Sequence, residues 1–350
     1  MMTRRTFLMA ATLAASGITS RLSMSGGGLA AGQASTRTTM GVNIYSFGFS
    51  QRGKSTVEFL DYCATLGAGG AQAALSSLDP GYVKKVRERA EKLGMYLEII
   101  TSLPQDDPEV FERTVVAAKD AGAICLRSAC LSGRRYETFS TLDEWNRFVS
   151  ESKARISRAV PILEKHRMPL GIENHKDWTA EELVALIKDY GSEYLGACLD
   201  TGNNIALLDD PMDVVERLAP YAVCTHIKDM AVEEYPEGFL LSEVPLGDGM
   251  LDMRRIAMTI AKSRPKTKFT LEMITRNPLK IPCLVDKYWA TFPRRSGGLL
   301  ARALTMVRAN KPRKPLPQPE SLDPAARGKL EEENVAKCFA YARNTMGLRS

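Results

Sequence analysis

The stretch Pro169-Leu-Gly-Ile-Glu-Asn174, the segment 179–190 behind it and Leu195-Gly-Ala-Cys-Leu199 read as strand, helix and strand. The first run is short, apolar and ends in polar residues, as a strand buried on both faces does. Thr179-Ala-Glu-Glu182 has the form of a capping box, in which hydroxyl and carboxylate satisfy each other's backbone N–H groups at a helix start. The third run repeats the first. Together they make a parallel βα unit, and that unit decides the fold.

Outward from it the same alternation recurs. Strands are expected at 41–46, 70–75, 96–102, 124–129, 169–174, 195–199, 222–227 and 268–273. Helices are expected at 55–66, 80–93, 108–121, 142–166, 179–190, 211–218 and 252–262. Ser55-x-x-Glu58 is a second capping box, and Pro80, Pro108 and Pro211 stand where helices begin. Eight units in about 270 residues fit one α/β domain, a single (β/α)8 TIM barrel, better than an open sheet. No GxGxxG follows the first strand, which argues against a dinucleotide-binding sheet. The barrel is expected over 39–310. A proline-dense linker, Lys311-Pro-Arg-Lys-Pro-Leu-Pro-Gln-Pro319, and a final helix at 324–346 make a C-terminal helical extension over 311–350 that folds back on the barrel.

The chain has 350 residues, of which 44% are hydrophobic and 25% charged, with a net charge of +6. That composition excludes a disordered chain and a disulfide-stapled miniprotein, and the modest charge argues against a nucleic-acid binder. No uninterrupted apolar run reaches the roughly 18 residues a membrane span needs, so no span is expected in the mature form. The seven cysteines are odd in number and mostly lie in apolar runs, as buried free thiols do. At the start, Met1-Met-Thr-Arg-Arg-Thr-Phe-Leu8 precedes a small apolar run, with no acidic residue before Ala34. This resembles a twin-arginine (Tat) signal peptide over 1–34, and implies the Tat export machinery as a partner and a periplasmic or otherwise exported destination. Removing Arg4, Arg5 and Arg21 takes the charge from +6 to +3.

Four segments carry the chemistry: Gly171-Ile-Glu-Asn-His-Lys-Asp-Trp178, Cys198-Leu-Asp-Thr-Gly-Asn-Asn204, Thr225-His-Ile-Lys-Asp229 and Phe269-Thr-Leu-Glu-Met273. Each is an apolar run ending in an acid or an imidazole, and in a barrel such ends converge on one cavity. Three carboxylates and an imidazole around one point repel one another unless a cation joins them. Glu173, Asp200, His226 and Glu272 are therefore expected to hold one divalent metal, Mn²⁺ in preference, with Mg²⁺, Co²⁺ or Zn²⁺ as alternatives. Strand alternation is expected to place His175 beside Glu173 and Lys228 beside His226, where both become candidate catalytic groups. Asn203, Asp248, Trp178 and Arg127 are candidates for substrate contact.

With Pro245-Leu-Gly-Asp-Gly249 in the right order among them, these motifs resemble the xylose isomerase-like TIM-barrel superfamily of sugar isomerases and epimerases, to which apurinic-site endonucleases also belong. The resemblance implies that the four residues are metal ligands and that Glu173 and Glu272 double as an acid/base pair on opposite faces of a sugar. It implies a small sugar or keto-sugar as substrate, an enediolate route to isomerisation or epimerisation, and a homo-oligomer. With only His166, His175 and His226, the chain lacks the histidines of a multi-zinc endonuclease. The same residues would also serve β-elimination on keto-sugars or 3-keto-glycosides, and a barrel that binds sugar without catalysis is a further alternative.

Overall fold

A computed structural model describes residues 37–349. The expected signal peptide lies outside the described residues. In chain order the elements are β1 (Gly41–Asn43), α1 (Thr56–Thr65), β2 (Gly70–Ala73), α2 (Pro80–Leu93), β3 (Tyr96–Ile100), α3 (Pro108–Asp120), β4 (Cys125–Ser128), α4 (Arg135–Thr138), α5 (Leu142–His166), β5 (Leu170–Glu173), α6 (Ala180–Tyr190), β6 (Leu195–Asp200), α7 (Pro211–Leu218), β7 (Ala222–His226), β8 (Asp229–Tyr235), β9 (Gly238–Val244), α8 (Met253–Ser263), β10 (Thr270–Leu271), β11 (Leu279–Ile281), α9 (Asp286–Trp289), α10 (Gly297–Ala309) and α11 (Pro324–Asn344). Within the described residues, β10-β1-β2-β3-β4-β5-β6-β7 form one parallel sheet. A single bridge between Ile227 and Leu271 joins its two ends, so the sheet is a nearly closed barrel.

Helix starts follow their local chemistry. Ser55 with Glu58, Thr141 with Glu144 and Thr179 with Glu182 form reciprocal capping boxes, and Pro80, Pro108, Pro211 and Pro324 open their helices. Seven of the eight strands are shorter than the apolar runs suggested, mostly because the runs continue into turns at their C-terminal ends, whereas β6 runs one residue further, to Asp200. After Asn43 the chain enters a 3₁₀ turn, Ile44–Phe47, and the eighth strand pairs only at Thr270 and Leu271.

The structure departs from expectation in two places. A second sheet, β11-β9-β8, is antiparallel and rises directly from the end of β7. It packs with α10 in a core of its own that includes Phe239, Leu241, Ile281, Ala303 and Val307. The C-terminal helix folds back on the barrel as expected, but it also fills part of its core. Val335, Cys338, Phe339 and Ala342 of α11 lie in the main barrel core, beyond the expected barrel limit at 310.

What matters for function is how the barrel interior is layered. Side chains two apart on a strand share a face. Gly41, Gly70, Tyr96, Cys125, Gly171, Cys198, Cys224 and Thr270 supply the lower positions, and all but Tyr96 are small. Tyr96 fills the space that glycine leaves: a Cβ on Gly70 would stand 2.4 Å from its ring. Its hydroxyl accepts the Gly41 N–H and donates to the Phe269 carbonyl, both at 2.8 Å. Two residues further along each strand come Asn43, Gln72, Glu98, Arg127, Glu173, Asp200, His226 and Glu272, so a polar layer sits above the small one.

Candidate metal centre and active site

Glu173, Asp200 and His226 close β5, β6 and β7, and Glu272 follows β10 directly. One ligating atom from each lies within 4.8 Å of the others, and all four residues are buried. His226 Nδ1 stands 3.3 Å from Glu173 Oε2, 3.4 Å from Glu272 Oε1 and 3.9 Å from Asp200 Oδ2. The other ring nitrogen, Nε2, lies 2.7 Å from the Gln72 side-chain oxygen and 3.0 Å from Asn43 Nδ2. Since both Asn43 amide protons are taken by Gln72 and Glu272, Nε2 is assigned the proton of the neutral ring, donated to Gln72. Nδ1 is then a bare lone pair facing three carboxylates, and it has no hydrogen-bond partner. A buried lone pair among anions calls for a proton or a cation. Burial resists a charge on the ring, but Glu272 and Glu173 hold its pKa well above the ordinary imidazole value, which meets the same need with a proton. Three hard oxygens and one imidazole nitrogen suit Mn²⁺, Mg²⁺, Co²⁺ or Zn²⁺.

Each carboxylate also has partners of its own. Arg127 Nε donates to Glu173 Oε2 at 2.6 Å and Nη2 bonds the same oxygen, while Asn203 Nδ2 donates to Glu173 Oε1 at 3.0 Å. Burial would raise the Glu173 pKa, yet Arg127 and His226 hold it well below the usual carboxylate range. Lys228 Nζ lies 2.6 Å from Glu272 Oε2, 2.9 Å from Asp200 Oδ2 and 3.6 Å from Glu243 Oε1. Burial acts to raise Glu272, but His226 and Lys228 bring it down to about 2. Asp200 Oδ1 accepts the Gly202 and Asn203 N–H groups at 2.8 and 2.7 Å, which aims its other oxygen into the cluster.

The structure brings Arg127, Asn203 and Lys228 to the ligands and leaves three other candidates away from them. Trp178 is 3% exposed and packs against Trp145 and Phe148, at 5.3 and 5.8 Å between ring centroids, so it is a core residue with no face left for a sugar. Asp248 points outward and pairs with Lys314 at 3.7 Å. The loop that carries it is wound around Asp229, whose carboxylate accepts the Gly247, Gly249 and Leu251 N–H groups, so Asp229 is not the partner of Lys228. His175 leaves the strand parity expected for it. β5 ends at Glu173, Asp177 Oδ1 accepts the His175 and Trp178 N–H groups, and the His175 ring lies against the Leu131 carbonyl at 3.0 Å. Burial lowers the His175 pKa to about 4.

Several residues of the site escaped the sequence reading. Asn43 bonds Glu272 Oε1 at 3.1 Å, and Gln72 links His226 to Glu98, whose Oε2 accepts from Gln72 and Thr270 at 2.8 Å each. The signal was available, since each is a polar residue within an otherwise apolar strand, and Asn43, Gln72 and Glu98 pair in register across β1, β2 and β3. Glu243 comes from β9 and anchors Arg276 at 2.6 Å. Lys176 donates to the Asn203 side-chain oxygen.

Comparison with known proteins agrees with this architecture. The profile described as xylose isomerase-like TIM barrel matches residues 60–290. A 3-oxo-isoapionate decarboxylase from Pectobacterium atrosepticum is 30% identical over 234 residues, 63% of this chain and 81% of the relative. Among solved structures, a D-psicose 3-epimerase in the presence of D-fructose superposes with a TM-score of 0.58 and 16% identity, over 88% of this chain and 99% of the other. A xylose isomerase-like TIM-barrel protein from Mycobacterium smegmatis in complex with magnesium gives 0.54 and 16%, over 78% and 99%. At that identity the two structures speak for the fold alone.

Proposed function

The chain belongs to the xylose isomerase-like TIM-barrel family, and on that premise we propose that it is a divalent-metal-dependent enzyme that isomerises or epimerises a sugar or keto-sugar through an enediolate. The observation that carries the proposal is the bare Nδ1 of His226 set among Glu173, Asp200 and Glu272. A divalent cation held by those four residues would polarise a ketone oxygen and its neighbouring hydroxyl and stabilise the charge of an enediolate. Glu173 and Glu272 would act as the acid/base pair, one to remove the α-proton and the other to return it. Arg127 and Asn203 hold Glu173 in place, as Asn43 and Lys228 hold Glu272. Lys228 brings a positive charge to the same point and would stabilise a developing oxyanion. We assign residues 1–34 to a Tat-type signal peptide and the mature protein to an exported compartment.

A second reading, β-elimination from a keto-sugar or decarboxylation of a keto acid derived from one, draws on one feature of the site. Each oxygen of Glu173 and Glu272 already receives a hydrogen bond, which weakens both as bases and favours a carbanion formed by loss of a group rather than of a proton. The relative named as a decarboxylase points the same way. Metal analysis followed by incubation of the Mn²⁺-loaded protein with ketoses and 3-keto sugars in D₂O tests both. Deuterium at the α-carbon with reversible product formation supports the isomerase, whereas irreversible loss of a group supports the second reading. Protein that takes up no divalent metal overturns both.

A further inference from the structure

Four cations are buried among the described residues: Arg127, Arg135, Lys176 and Lys228. Three of them have a carboxylate: Arg127 has Glu173, Arg135 has Glu182, and Lys228 has Glu272, Asp200 and Glu243. Lys176 has none. Its ammonium is 3% exposed and donates only to the neutral side-chain oxygen of Asn203. Asp200 and Glu243 attract it only from beyond ion-pair distance, and a buried charge with no carboxylate in contact is costly, so a fold that keeps one has a use for it.

The backbone makes the same point independently. Lys176 is one of three non-glycine residues with positive φ among the described residues, at 69°. A left-handed conformation costs a lysine on the order of 1 kcal/mol and persists only where the surroundings enforce it. Here they do. Asp177 accepts the His175, Trp178 and Leu131 N–H groups, and the Lys176 carbonyl accepts the Arg135 N–H at 3.0 Å. This bracing aims Lys176 at Asn203, whose own amide donates to Glu173. The ammonium therefore stands two hydrogen bonds from the proposed reacting centre.

Charge balance says what it awaits. Around the centre, Glu173, Asp200, Glu272 and Glu243 are offset by Arg127, Lys228, Arg276 and Lys176, and His226 would be neutral once its Nδ1 holds a metal. Among these groups a divalent cation leaves an excess of two positive charges, which Glu98 and Asp177, both pushed by burial to about 7, offset only in part. A neutral sugar forming an enediolate intermediate does not remove that excess in the bound ground state, whereas an acidic substrate reduces it on binding. Burial, with repulsion from Lys228 and Arg276, lowers the Lys176 pKa to about 8, and an arriving anion relieves that strain.

We propose that Lys176 is the seat of a substrate carboxylate, so that the substrate class is a polyhydroxy keto acid rather than a neutral ketose. This rests on the reading of the site as a metal-dependent keto-sugar centre. A single ammonium matches a carboxylate; phosphate sites gather several donors.

The test is titration calorimetry of the Mn²⁺-loaded protein with gluconate, with glucitol and with glucitol 6-phosphate, on wild type, Lys176→Met and Lys176→Arg. Wild type is expected to bind gluconate at least about tenfold more tightly than glucitol, the size of one charge-assisted hydrogen bond. Lys176→Met should abolish that preference, Lys176→Arg should retain part of it, and both should bind Mn²⁺ as wild type does. Metal-free Lys176→Met should also unfold at a higher urea concentration than wild type, since an unpaired buried charge is gone; a merely structural lysine would give the opposite. Equal affinity for gluconate and glucitol, a preference that survives Lys176→Met, or tighter binding of the phosphate overturns the proposal while leaving the metal-dependent reading intact. Loss of Mn²⁺ binding in wild type defeats both.

Discussion

Replacing Lys228 by methionine is the perturbation that most directly probes how the site is held together. In the folded protein its ammonium lies 2.6 Å from Glu272, 2.9 Å from Asp200 and 3.6 Å from Glu243, all buried. Methionine keeps the length and apolar stem but leaves these carboxylates without their shared cation. Removing one partner of a buried ion pair costs about 3–5 kcal/mol, and because one charge serves all three acids the cost is counted once. A divalent cation would replace the missing charge. Wild type should gain about 2.7 kcal/mol from Mn²⁺ at a hundredfold excess over Kd, and the variant should gain more, since each tenfold in affinity adds roughly 1.4 kcal/mol. The pH dependence should shift too. Burial would raise Glu272, but His226 and Lys228 bring it to about 2, below its unfolded value. Its contribution is thus present above the ordinary carboxylate range and is lost as pH falls toward 2. Without Lys228 the folded pKa climbs, so the variant's deficit should shrink on mild acidification. Urea denaturation followed by tryptophan fluorescence, in chelator and in Mn²⁺ at neutral and mildly acidic pH, reads all three effects. A metal-free variant within about 1 kcal/mol of wild type, or an identical gain from metal in both, would refute the argument.

Two further outcomes follow from the residues beneath the ligands. Gln72→Leu removes the acceptor that keeps the proton of the neutral ring on His226 Nε2, and Mn²⁺ affinity should fall by about 10–100-fold in calorimetry, whereas unchanged affinity would discard the tautomer assignment. Burial pushes Glu98 up to about 7, so its stabilising contribution is complete below the ordinary carboxylate range and fades as pH rises through about 7. Glu98→Gln keeps an oxygen for Gln72 and Thr270 and should flatten that dependence, a change of up to about 3 kcal/mol between mildly acidic and mildly alkaline urea denaturation in chelator; an undiminished slope would mean another group titrates.

The repeating units and the convergence of Glu173, Asp200, His226 and Glu272 were readable because each rests on a local rule. Helix α2 runs over its expected span, from the Asp79 cap to the left-handed Gly94, and α5 does so from the Thr141 capping box to the left-handed Arg167. The antiparallel sheet was missed although Tyr235-Pro-Glu-Gly238 is a two-residue hairpin connection between alternating runs. Its first strand follows β7 after two residues and was absorbed into the ligand motif. In α11, Val335, Cys338, Phe339 and Ala342 form a helical stripe that suits a helix folded back on the barrel, but the proline-dense linker in front set the expected barrel limit at 310. The errors at Trp178 and Asp248 have a common cause. Both lie beyond strand ends, where buried carboxylates redirect the chain: Asp177 turns Trp178 into the core, and Asp229 turns the 247–249 loop outward. Strand parity carries no information past such a turn, which is also why Lys176 stayed hidden.

The layering of the barrel explains why the metal-type cluster sits where it does. The small lower residues let the strands carry polar groups just above them, one from each strand end, within reach of a single point. Cys198 also approaches Glu173 and His226, so a thiol set competes on distance alone with the carboxylate set. Chemistry separates the two. Burial pushes the Cys198 thiol well above its ordinary pKa, and a neutral thiol is a poor donor to a hard cation. At Glu272, in contrast, burial is outweighed by His226 and Lys228, which hold it ionised, and at Asp200, which burial raises, Lys228 opposes the rise. Lys228 thus prepares an oxygen-rich set for a hard divalent ion. The same ammonium adds to the positive charge around the centre, which the proposed acidic substrate would reduce on binding.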